Sequence, residues 1–227
     1  MNKKSCGFVA IIGEPNTGKS TLLNALVGQK VSITTPKAQT TRANVRGMVV
    51  HDNTQMILID TPGIFAADEC FEKAMVKAAW AGCRDADAVL LLVNATRGIT
   101  PGLEALIESL SDTANAPVFA AVNKIDKIDK RKLLELTQAL SEYPMFQEIL
   151  FISAKKRDGL EGLLETLAEE MPEGPFHYPE EQVTDVQMRI LAAEVTREKC
   201  AVCLTCVRAC PYGIPYIHED GYAVIEP

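Results

Sequence analysis

The sequence has no long hydrophobic run. None of its apolar stretches approaches the roughly 20 residues that a membrane-spanning helix needs. The short apolar run at 7–12, after Met-Asn-Lys-Lys, imitates a signal peptide, but it is too brief and leads directly into a glycine-rich loop. We interpret it as a buried first strand and predict a cytoplasmic protein.

The sequence also lacks an excess of positive charge. Its 23 Lys and Arg residues are outnumbered by 30 Asp and Glu residues, so the formal net charge is −7. Nucleic-acid-binding domains usually carry a basic patch or stripe, and no segment of this sequence looks like one. The remaining composition, 47% hydrophobic and 23% charged, is that of an ordinary globular protein.

Apolar runs and amphipathic segments alternate along the first three quarters of the chain. The run at 88–93 is apolar throughout, as expected of a strand buried on both faces. Strands are predicted at 7–13, 45–50, 55–60, 88–93, 117–122 and 149–152, and helices at 19–27, 72–84, 103–110, 132–140 and 160–171. This alternation predicts an α/β fold with a mostly parallel sheet and helices on both of its faces.

A glycine-rich segment follows the first predicted strand. Gly13-Glu-Pro-Asn-Thr-Gly-Lys-Ser20 fits G-x-x-x-x-G-K-S, in which backbone N–H groups and a helix N-terminus face phosphate groups. Lys19 is predicted to reach the β- and γ-phosphates as a catalytic group, and Ser20 to bind Mg²⁺. Other predicted contacts with the nucleotide in this segment are Gly13, Asn16, Thr17, Gly18 and Thr21. A chance glycine turn is the alternative, which the flanking strand and helix argue against.

A second segment, Asp60-Thr-Pro-Gly63, ends the third predicted strand. A carboxylate at Asp60 can hold Mg²⁺, and the backbone N–H of Gly63 can sense the γ-phosphate. These four residues alone also describe an ordinary turn. Their place after the phosphate loop makes the nucleotide interpretation stronger.

Two later segments predict which base is bound. In Asn123-Lys-Ile-Asp126, the Asp126 carboxylate can accept hydrogen bonds from the ring N1–H and the amine of guanine, which adenine does not offer together. Lys124 is predicted to pack along the base. In Ser153-Ala154-Lys155, a backbone N–H can meet the guanine O6. Asp129 lies off the motif and is predicted to be a helix cap.

With these motifs the chain resembles the translation-factor-related GTPases, and further segments make it similar to the Era family over residues 1–199. Those segments are 22–34, 37–42, 172–175, 178–185 and 192–199. Three prolines within residues 172–179 predict a linker, and 187–199 is predicted as one more helix, so 172–199 is expected to be a linker and helix. The resemblance implies a GTPase domain over 1–171. It also implies Mg²⁺-dependent GTP hydrolysis in small-ribosomal-subunit assembly, with the small subunit or 16S rRNA as partner. A peripheral membrane contact stays open.

The resemblance also implies a switch residue. Thr41 is the threonine that closes on Mg²⁺ during catalysis, with Thr40 as the alternative, and a solvated loop threonine is the simpler interpretation of either. The residue after Gly63 is Ile64, where Ras-type enzymes carry a glutamine that orients the attacking water. Slow intrinsic hydrolysis is therefore predicted.

The family continues into an RNA-binding KH domain with a basic Gly-x-x-Gly loop, and this chain departs from that pattern at Cys200. Gly159-Leu-Glu-Gly162 has the spacing but is acidic and opens the last predicted helix of the GTPase domain. The RNA-binding half of the family's function is therefore not carried over.

A cluster of four cysteines stands in its place. Cys200, Cys203, Cys206 and Cys210 follow the C-x₂-C-x₂-C-x₃-C-P pattern of bacterial ferredoxins, which predicts a [4Fe–4S] cluster and a redox partner. In two-cluster ferredoxins the fourth cysteine serves the other cluster, and a second cysteine run normally follows a hairpin. Here a hairpin is predicted at 216–225, and no second run follows it. Free thiols or a zinc ion are the alternatives.

Three interpretations of the whole chain therefore stand beside one another. The first is a GTPase switch whose loops are ordered by the γ-phosphate. The second is an iron–sulfur electron-transfer or redox-sensing protein gated by its GTPase domain. The third is a truncated or fused chain in which the segment 200–227 is half of a ferredoxin-like domain and only the GTPase part is functional. The remaining cysteines, Cys6, Cys70 and Cys83, are predicted to be reduced thiols of the body.

Overall fold

A computed structural model of the chain describes residues 4–29, 31–32, 45–61, 86–184, 215–217 and 223–225. The chain divides into two compact units, Met1–Asp185 and Val186–Pro227. The predicted helices at 72–84 and 187–199 and the four-cysteine run lie outside the described residues.

The first unit is built on a six-stranded sheet with the order β2-β3-β1-β4-β5-β6. The strands are β1 (Ser5–Ile12), β2 (Val45–His51), β3 (Thr54–Asp60), β4 (Ala88–Asn94), β5 (Val118–Asn123) and β6 (Phe146–Ile152). All neighbouring pairs are parallel except β2 and β3, which form an antiparallel hairpin at one edge. The predicted α/β class with a mostly parallel sheet is confirmed.

Four described helices flank the sheet: α1 (Lys19–Val27), α2 (Pro101–Thr113), α3 (Lys130–Ser141) and α4 (Leu160–Glu169). α2 begins earlier than its apolar spacing predicts, because the Thr100 side chain accepts a hydrogen bond from the Leu103 N–H and Pro101 occupies the first turn. The Asp129 side chain caps α3 in the same way by accepting from the Lys132 N–H, which confirms that prediction.

The core contains two large apolar layers, one on each face of the sheet, and a smaller cluster of Cys6, Met48 and Ile57. Side chains of α1 and α4 cover one face, and side chains of α2 and α3 cover the other. The central strand β4 is buried along its whole length, so its residues contact both layers. Each fully buried Leu of this strand stabilises the fold by about 1.5–3 kcal/mol. The sheet that carries the functional residues is therefore rigid.

The segment 172–184, predicted as the start of a linker, is irregular but bound to the sheet. The Cys6 N–H donates to the Pro172 carbonyl over 3.0 Å. The buried Gln55 side chain holds the backbone of Tyr178 from both sides, with its amide donating over 2.8 Å and its oxygen accepting over 3.0 Å. Cys6 itself is buried and free.

The second unit contains one described antiparallel pair, β7 (Pro215–Ile217) and β8 (Ala223–Ile225). This pairing agrees with the predicted hairpin at 216–225. Within the described residues, no helix combines the length and the apolar character needed to span a membrane.

Candidate nucleotide-binding site

The predicted site segments follow the carboxyl ends of four parallel strands. Gly13 follows β1, Asp60 ends β3, Asn123 ends β5 and Ser153 follows β6. Carboxyl ends of parallel strands meet at one edge of a sheet, where ligands of open α/β folds bind. The structure thereby brings together segments that are far apart in the sequence.

The loop between β1 and α1 has positive φ angles at three positions, which glycine and asparagine tolerate better than other residues. Gly13 and Gly18 have φ angles of 153° and 107°, and Asn16 has 63°. A Cβ atom on Gly18 would lie 2.5 Å from Nδ2 of Asn123, so a side chain there is excluded by contact as well as by conformation. Asparagine is among the few non-glycine residues that tolerate a positive φ. The loop is therefore shaped for backbone contacts.

Lys19 lies inside this loop. Its side chain is buried, and Nζ donates to the carbonyl oxygens of Gly13 over 2.9 Å and Glu14 over 3.0 Å. Burial lowers the pKa of Lys19 to about 8, although the charges of Asp60 and Glu14 oppose this shift. An ammonium group held at this point can neutralise phosphate oxygens at the mouth of the loop.

Asp60 and two serine hydroxyls form a cluster of oxygen atoms beside the loop. The buried Asp60 carboxylate accepts from Ser20 over 2.7 Å and from Ser32 over 2.8 Å. Hydroxyl and carboxylate oxygens are the hard ligands that Mg²⁺ prefers, so the residues present fit this ion. Ser32 was not predicted, because its position depends on Asn24, whose side chain accepts from the N–H groups of Val31 and Ser32.

Asn123 connects three of the predicted segments through one buried amide group. Its Nδ2 donates to the Thr17 carbonyl over 2.9 Å, and its Oδ1 accepts from the N–H groups of Lys124 and Ala154 over 2.8 and 3.0 Å. Lys124 follows with a φ of 69°, which is unfavourable for a lysine. Its Nζ reaches back to the Asn16 carbonyl. Asn123 is thus the residue that fixes the base side against the phosphate loop.

The Asp126 carboxylate faces the same region. Its oxygen accepts from the Ser153 hydroxyl over 2.7 Å, and this hydrogen bond lowers the pKa of Asp126, with Lys156 and Lys127 adding to the effect. The carboxylate is therefore ionised at neutral pH. A pocket opens beside it, lined by Gly18, Thr21, Asn123, Lys124, Asp126, Lys127, Ser153, Ala154 and Lys155. Lys127 is the lining residue that the motifs did not predict.

The outer side of the phosphate loop is attached to the start of α2. The Thr100 hydroxyl donates to the Glu14 carboxylate over 2.8 Å, and Arg97 donates to the Pro15 carbonyl over 3.5 Å. Neither contact follows from the motif pattern, because Glu14 and Pro15 occupy its variable positions. The helix that follows the central strand thus supports the loop.

The structure brings together every predicted site residue that lies in its described part. These are Gly13, Asn16, Thr17, Gly18, Lys19, Ser20, Thr21, Asp60, Asn123, Lys124, Asp126, Ser153, Ala154 and Lys155. The remaining predicted residues lie outside the described ranges: Thr40, Thr41, Gly63, Ile64, Cys200, Cys203, Cys206 and Cys210.

The chain is similar to known GTPases over most of its length. A family model described as a 50S ribosome-binding GTPase matches residues 8–124. The chain is 50% identical over 194 residues to the GTPase Era of Bradyrhizobium sp. (strain ORS 278), a match that covers 86% of this chain and 63% of that protein. Two further GTPase Era proteins, of Mesorhizobium japonicum and Sinorhizobium medicae, are 50% and 48% identical. The chain therefore spans less than two thirds of the length of these relatives.

Solved structures of Era share the fold. One is Era in complex with MgGDPNP and part of 16S ribosomal RNA, at a TM-score of 0.79 and 40% identity, covering 87% of this chain and 70% of that chain. Another is an Aquifex aeolicus Era variant bound to GDP·AlF₄⁻, at a TM-score of 0.78 and 40% identity, covering 86% of this chain and 69% of that one.

Proposed function

The chain belongs to the Era family of GTPases, and we propose that it binds GTP and hydrolyses it to GDP and phosphate with Mg²⁺, as a molecular switch in small-ribosomal-subunit assembly. The observation that supports this proposal most is the convergence at one sheet edge of the phosphate loop, the Ser20–Asp60 pair and the Asp126 pocket. Each part has a separate chemical role.

The phosphate part neutralises charge. Lys19 sits in the loop with its Nζ on two backbone carbonyls, and both of these are weaker partners than a phosphate oxygen. The N–H groups of the loop and of the first turn of α1 add oriented dipoles. These groups hold the β- and γ-phosphates and stabilise the charge that develops between them.

Ser20 and Asp60 are the residues that would hold Mg²⁺. The ion, when bound, supplies positive charge to the β- and γ-phosphate oxygens. Asp60 ends a buried strand, and the next residue, Thr61, is anchored by its hydroxyl to the Ile11 carbonyl over 2.7 Å. The end of β3 that carries the Asp60 carboxylate is therefore held against β1.

The base part selects guanine. An ionised Asp126, oriented by Ser153, accepts from two donors that guanine presents together. Adenine does not present these two donors together, so ATP would forgo two hydrogen bonds to a charged group, which disfavours it relative to GTP. Ala154 is held against Asn123, so the backbone that faces the guanine O6 is fixed as well.

The switch itself involves Thr41 and Gly63. These residues flank the β2–β3 hairpin in sequence, Thr41 before β2 and Gly63 after β3, so a γ-phosphate that ordered both would act on the two ends of one rigid element. With isoleucine at position 64, no side-chain amide is available there to orient water, and we expect slow intrinsic turnover.

The ribosomal part of the proposal comes from the family. The Era protein of the solved complex binds part of 16S ribosomal RNA. The small subunit and its RNA are therefore the proposed partners of this chain.

Hydrolysis by the purified full-length chain tests this function. We expect Mg²⁺-dependent release of phosphate from GTP under single-turnover conditions, slow and without a counterpart for ATP. Lys19→Ala should abolish the reaction, whereas Lys132→Ala, an exposed lysine of α3, should leave the rate unchanged. Hydrolysis of ATP at the same rate as GTP, or full activity of Lys19→Ala, would refute the proposal.

The spacing of Cys200, Cys203, Cys206 and Cys210 supports a second candidate function, an iron–sulfur centre coupled to the GTPase body. The test is anaerobic purification of the full chain. Stoichiometric iron and labile sulfide with visible absorption would support the cluster and its redox partner. A colourless protein that binds GDP would refute the iron–sulfur candidate and leave two interpretations, the GTPase switch and the truncated or fused chain.

A further inference from the structure

A histidine and two glutamates converge on a surface of the first unit away from the nucleotide edge. His51 is the last residue of β2, and Glu161 and Glu165 lie one turn apart on α4. One ligand atom of each residue lies within 4.8 Å of those of the others. In the β2–β3 hairpin, Val45 pairs with Asp60, whereas His51 pairs with Thr54. The cluster therefore lies at the end of this hairpin that is opposite to Asp60.

The distance between the imidazole and the nearer carboxylate suits a shared ion better than a direct bond. Nδ1 of His51 and Oε1 of Glu161 are 3.8 Å apart, too far for a hydrogen bond. Two ligands on one tetrahedral Zn²⁺ lie about 3.4 Å apart. The imidazole is only 15% exposed and held by its strand, whereas Glu161 is 79% exposed. Small rotations of the glutamates are enough to close the site.

The charges of the cluster also favour a cation. Glu161 and Glu165 are spaced i,i+4 on one helix, where like charges repel each other. A divalent ion between them removes this repulsion. One imidazole with two carboxylates is a donor set that suits Zn²⁺ and similar first-row ions, and it leaves a coordination position for water.

We propose that His51, Glu161 and Glu165 bind one divalent transition-metal ion, with Zn²⁺ as the best match, and that this ion ties the β2–β3 hairpin to α4. The site is separate from the Mg²⁺ ligands Ser20 and Asp60. Because β2 and β3 lead from the proposed switch threonine to Asp60, the ion stabilises the element that the switch acts on.

Histidine signals provide a direct test, because the chain contains three histidines, His51, His177 and His218. The full-length chain, labelled with ¹³C in its histidine rings, is titrated with Ni²⁺ in excess Mg²⁺ and followed by NMR. We expect the His51 signal, assigned by its loss in His51→Asn, to broaden before that of His177, which lies in the same unit. Glu161→Gln combined with Glu165→Gln should raise the Ni²⁺ concentration needed by at least about tenfold.

Glu169→Gln is the matched control, since Glu169 lies on the same helix one turn beyond Glu165 and is not part of the cluster. It removes the same charge as one of the test substitutions and should leave the titration unchanged. Broadening of His51 and His177 together would overturn the site. So would broadening of His51 that is unaffected by loss of both glutamates, because the imidazole would then bind the ion alone.

Discussion

The proposed phosphate side and the proposed base side of the candidate nucleotide site differ in which chemical groups form them. On the proposed phosphate side the backbone itself would form the binding surface, with Gly13, Asn16 and Gly18 at positive φ angles. On the base side, side chains hold loops in place, through Asn123 and through the Asp126–Ser153 pair. The two sides meet where the Asn123 amide donates to the Thr17 carbonyl.

This difference leads us to expect different sensitivities to substitution. The phosphate loop has no room for a Cβ at Gly18. On the proposed base side, loss of the Asn123 side chain should be costly, because its amide bonds backbone groups of Thr17, Lys124 and Ala154. Substitutions on the two sides should therefore fail for different reasons.

The largest effect is expected from Gly18→Ala. The added Cβ would meet Nδ2 of Asn123 at 2.5 Å, and the φ of 107° is strained for alanine. Together these costs should weaken GDP binding about 100-fold or more, measured with a fluorescent nucleotide. Gly162→Ala, in α4 with open space around it, is the control and should leave binding intact. Normal affinity of Gly18→Ala would mean that the loop does not need this conformation.

Asn123→Ala should give the next largest effect. It removes three hydrogen bonds and leaves the buried groups of Thr17, Lys124 and Ala154 without this partner, which should cost about 2–3 kcal/mol in the free energy of unfolding and weaken GDP binding about tenfold or more. Denaturant unfolding and nucleotide titration measure the two effects.

The control for this prediction is Asn94→Ala. Asn94 is the register partner of Asn123 on β4 and is also buried, but its side chain accepts from the backbone N–H and the hydroxyl of Thr96. Its loss should lower stability with little change in GDP affinity. Equal loss of affinity in both variants would contradict the connecting role of Asn123.

A moderate effect is expected from pH on the phosphate side. Because the pKa of Lys19 is lowered to about 8 in the free protein, and phosphate favours the charged lysine, nucleotide binding should take up a proton near this pH. GDP affinity should then fall about fivefold between pH 8 and pH 9. Without nucleotide, Lys19 takes up a proton on unfolding between pH 8 and the ordinary lysine pKa. Its contribution to the free energy of unfolding therefore rises with pH in this range.

Lys19→Arg separates this effect from titration of the base. Arginine stays protonated throughout the range, so whatever affinity the variant retains should lose this part of the pH dependence. An identical pH profile in wild type and Lys19→Arg would assign the titration to another group.

The smallest effect is expected from Ser32→Ala. The substitution removes a hydroxyl that donates to Asp60 over 2.8 Å in a buried setting. It should lower stability by about 1 kcal/mol and weaken Mg²⁺-dependent GDP binding a few-fold. Ser141→Ala, whose exposed hydroxyl bonds only to the Thr137 carbonyl among the contacts described, should change neither. An unaffected Ser32→Ala variant would remove Ser32 from the site.

A site residue could be predicted from the sequence when its role depends on its near neighbours in the chain, and not when it depends on residues that are distant in the sequence. Gly18, Lys19 and Ser20 act through local backbone geometry and could be predicted from their spacing. Ser32 could not, because its bond to Asp60 requires both the fold and the support of Asn24. The Glu14–Thr100 hydrogen bond could not be predicted from the sequence either, since it joins a variable position of the loop to a helix cap.

The elements of the fold likewise differ in how well the sequence predicts them. β4 was predicted almost to the residue because it is buried on both faces. β6 begins at Phe146, before its predicted start, because as an edge strand it carries exposed polar residues and gives no apolar run. The proline-rich composition of 172–184 predicted a linker. Its attachment to the sheet depends on Gln55 and Cys6, which are distant in the sequence.

The central claim, that Asp126 selects guanine in a site completed by the phosphate loop, is tested most directly by Asp126→Asn. The affinities of the variant for GDP and for xanthosine diphosphate are compared with those of Asp129→Asn, which changes the same charge at a helix cap that asparagine also fills well. We predict that Asp126→Asn loses GDP affinity and gains xanthosine diphosphate affinity, whereas Asp129→Asn behaves as wild type. Unchanged GDP affinity in Asp126→Asn would contradict the account.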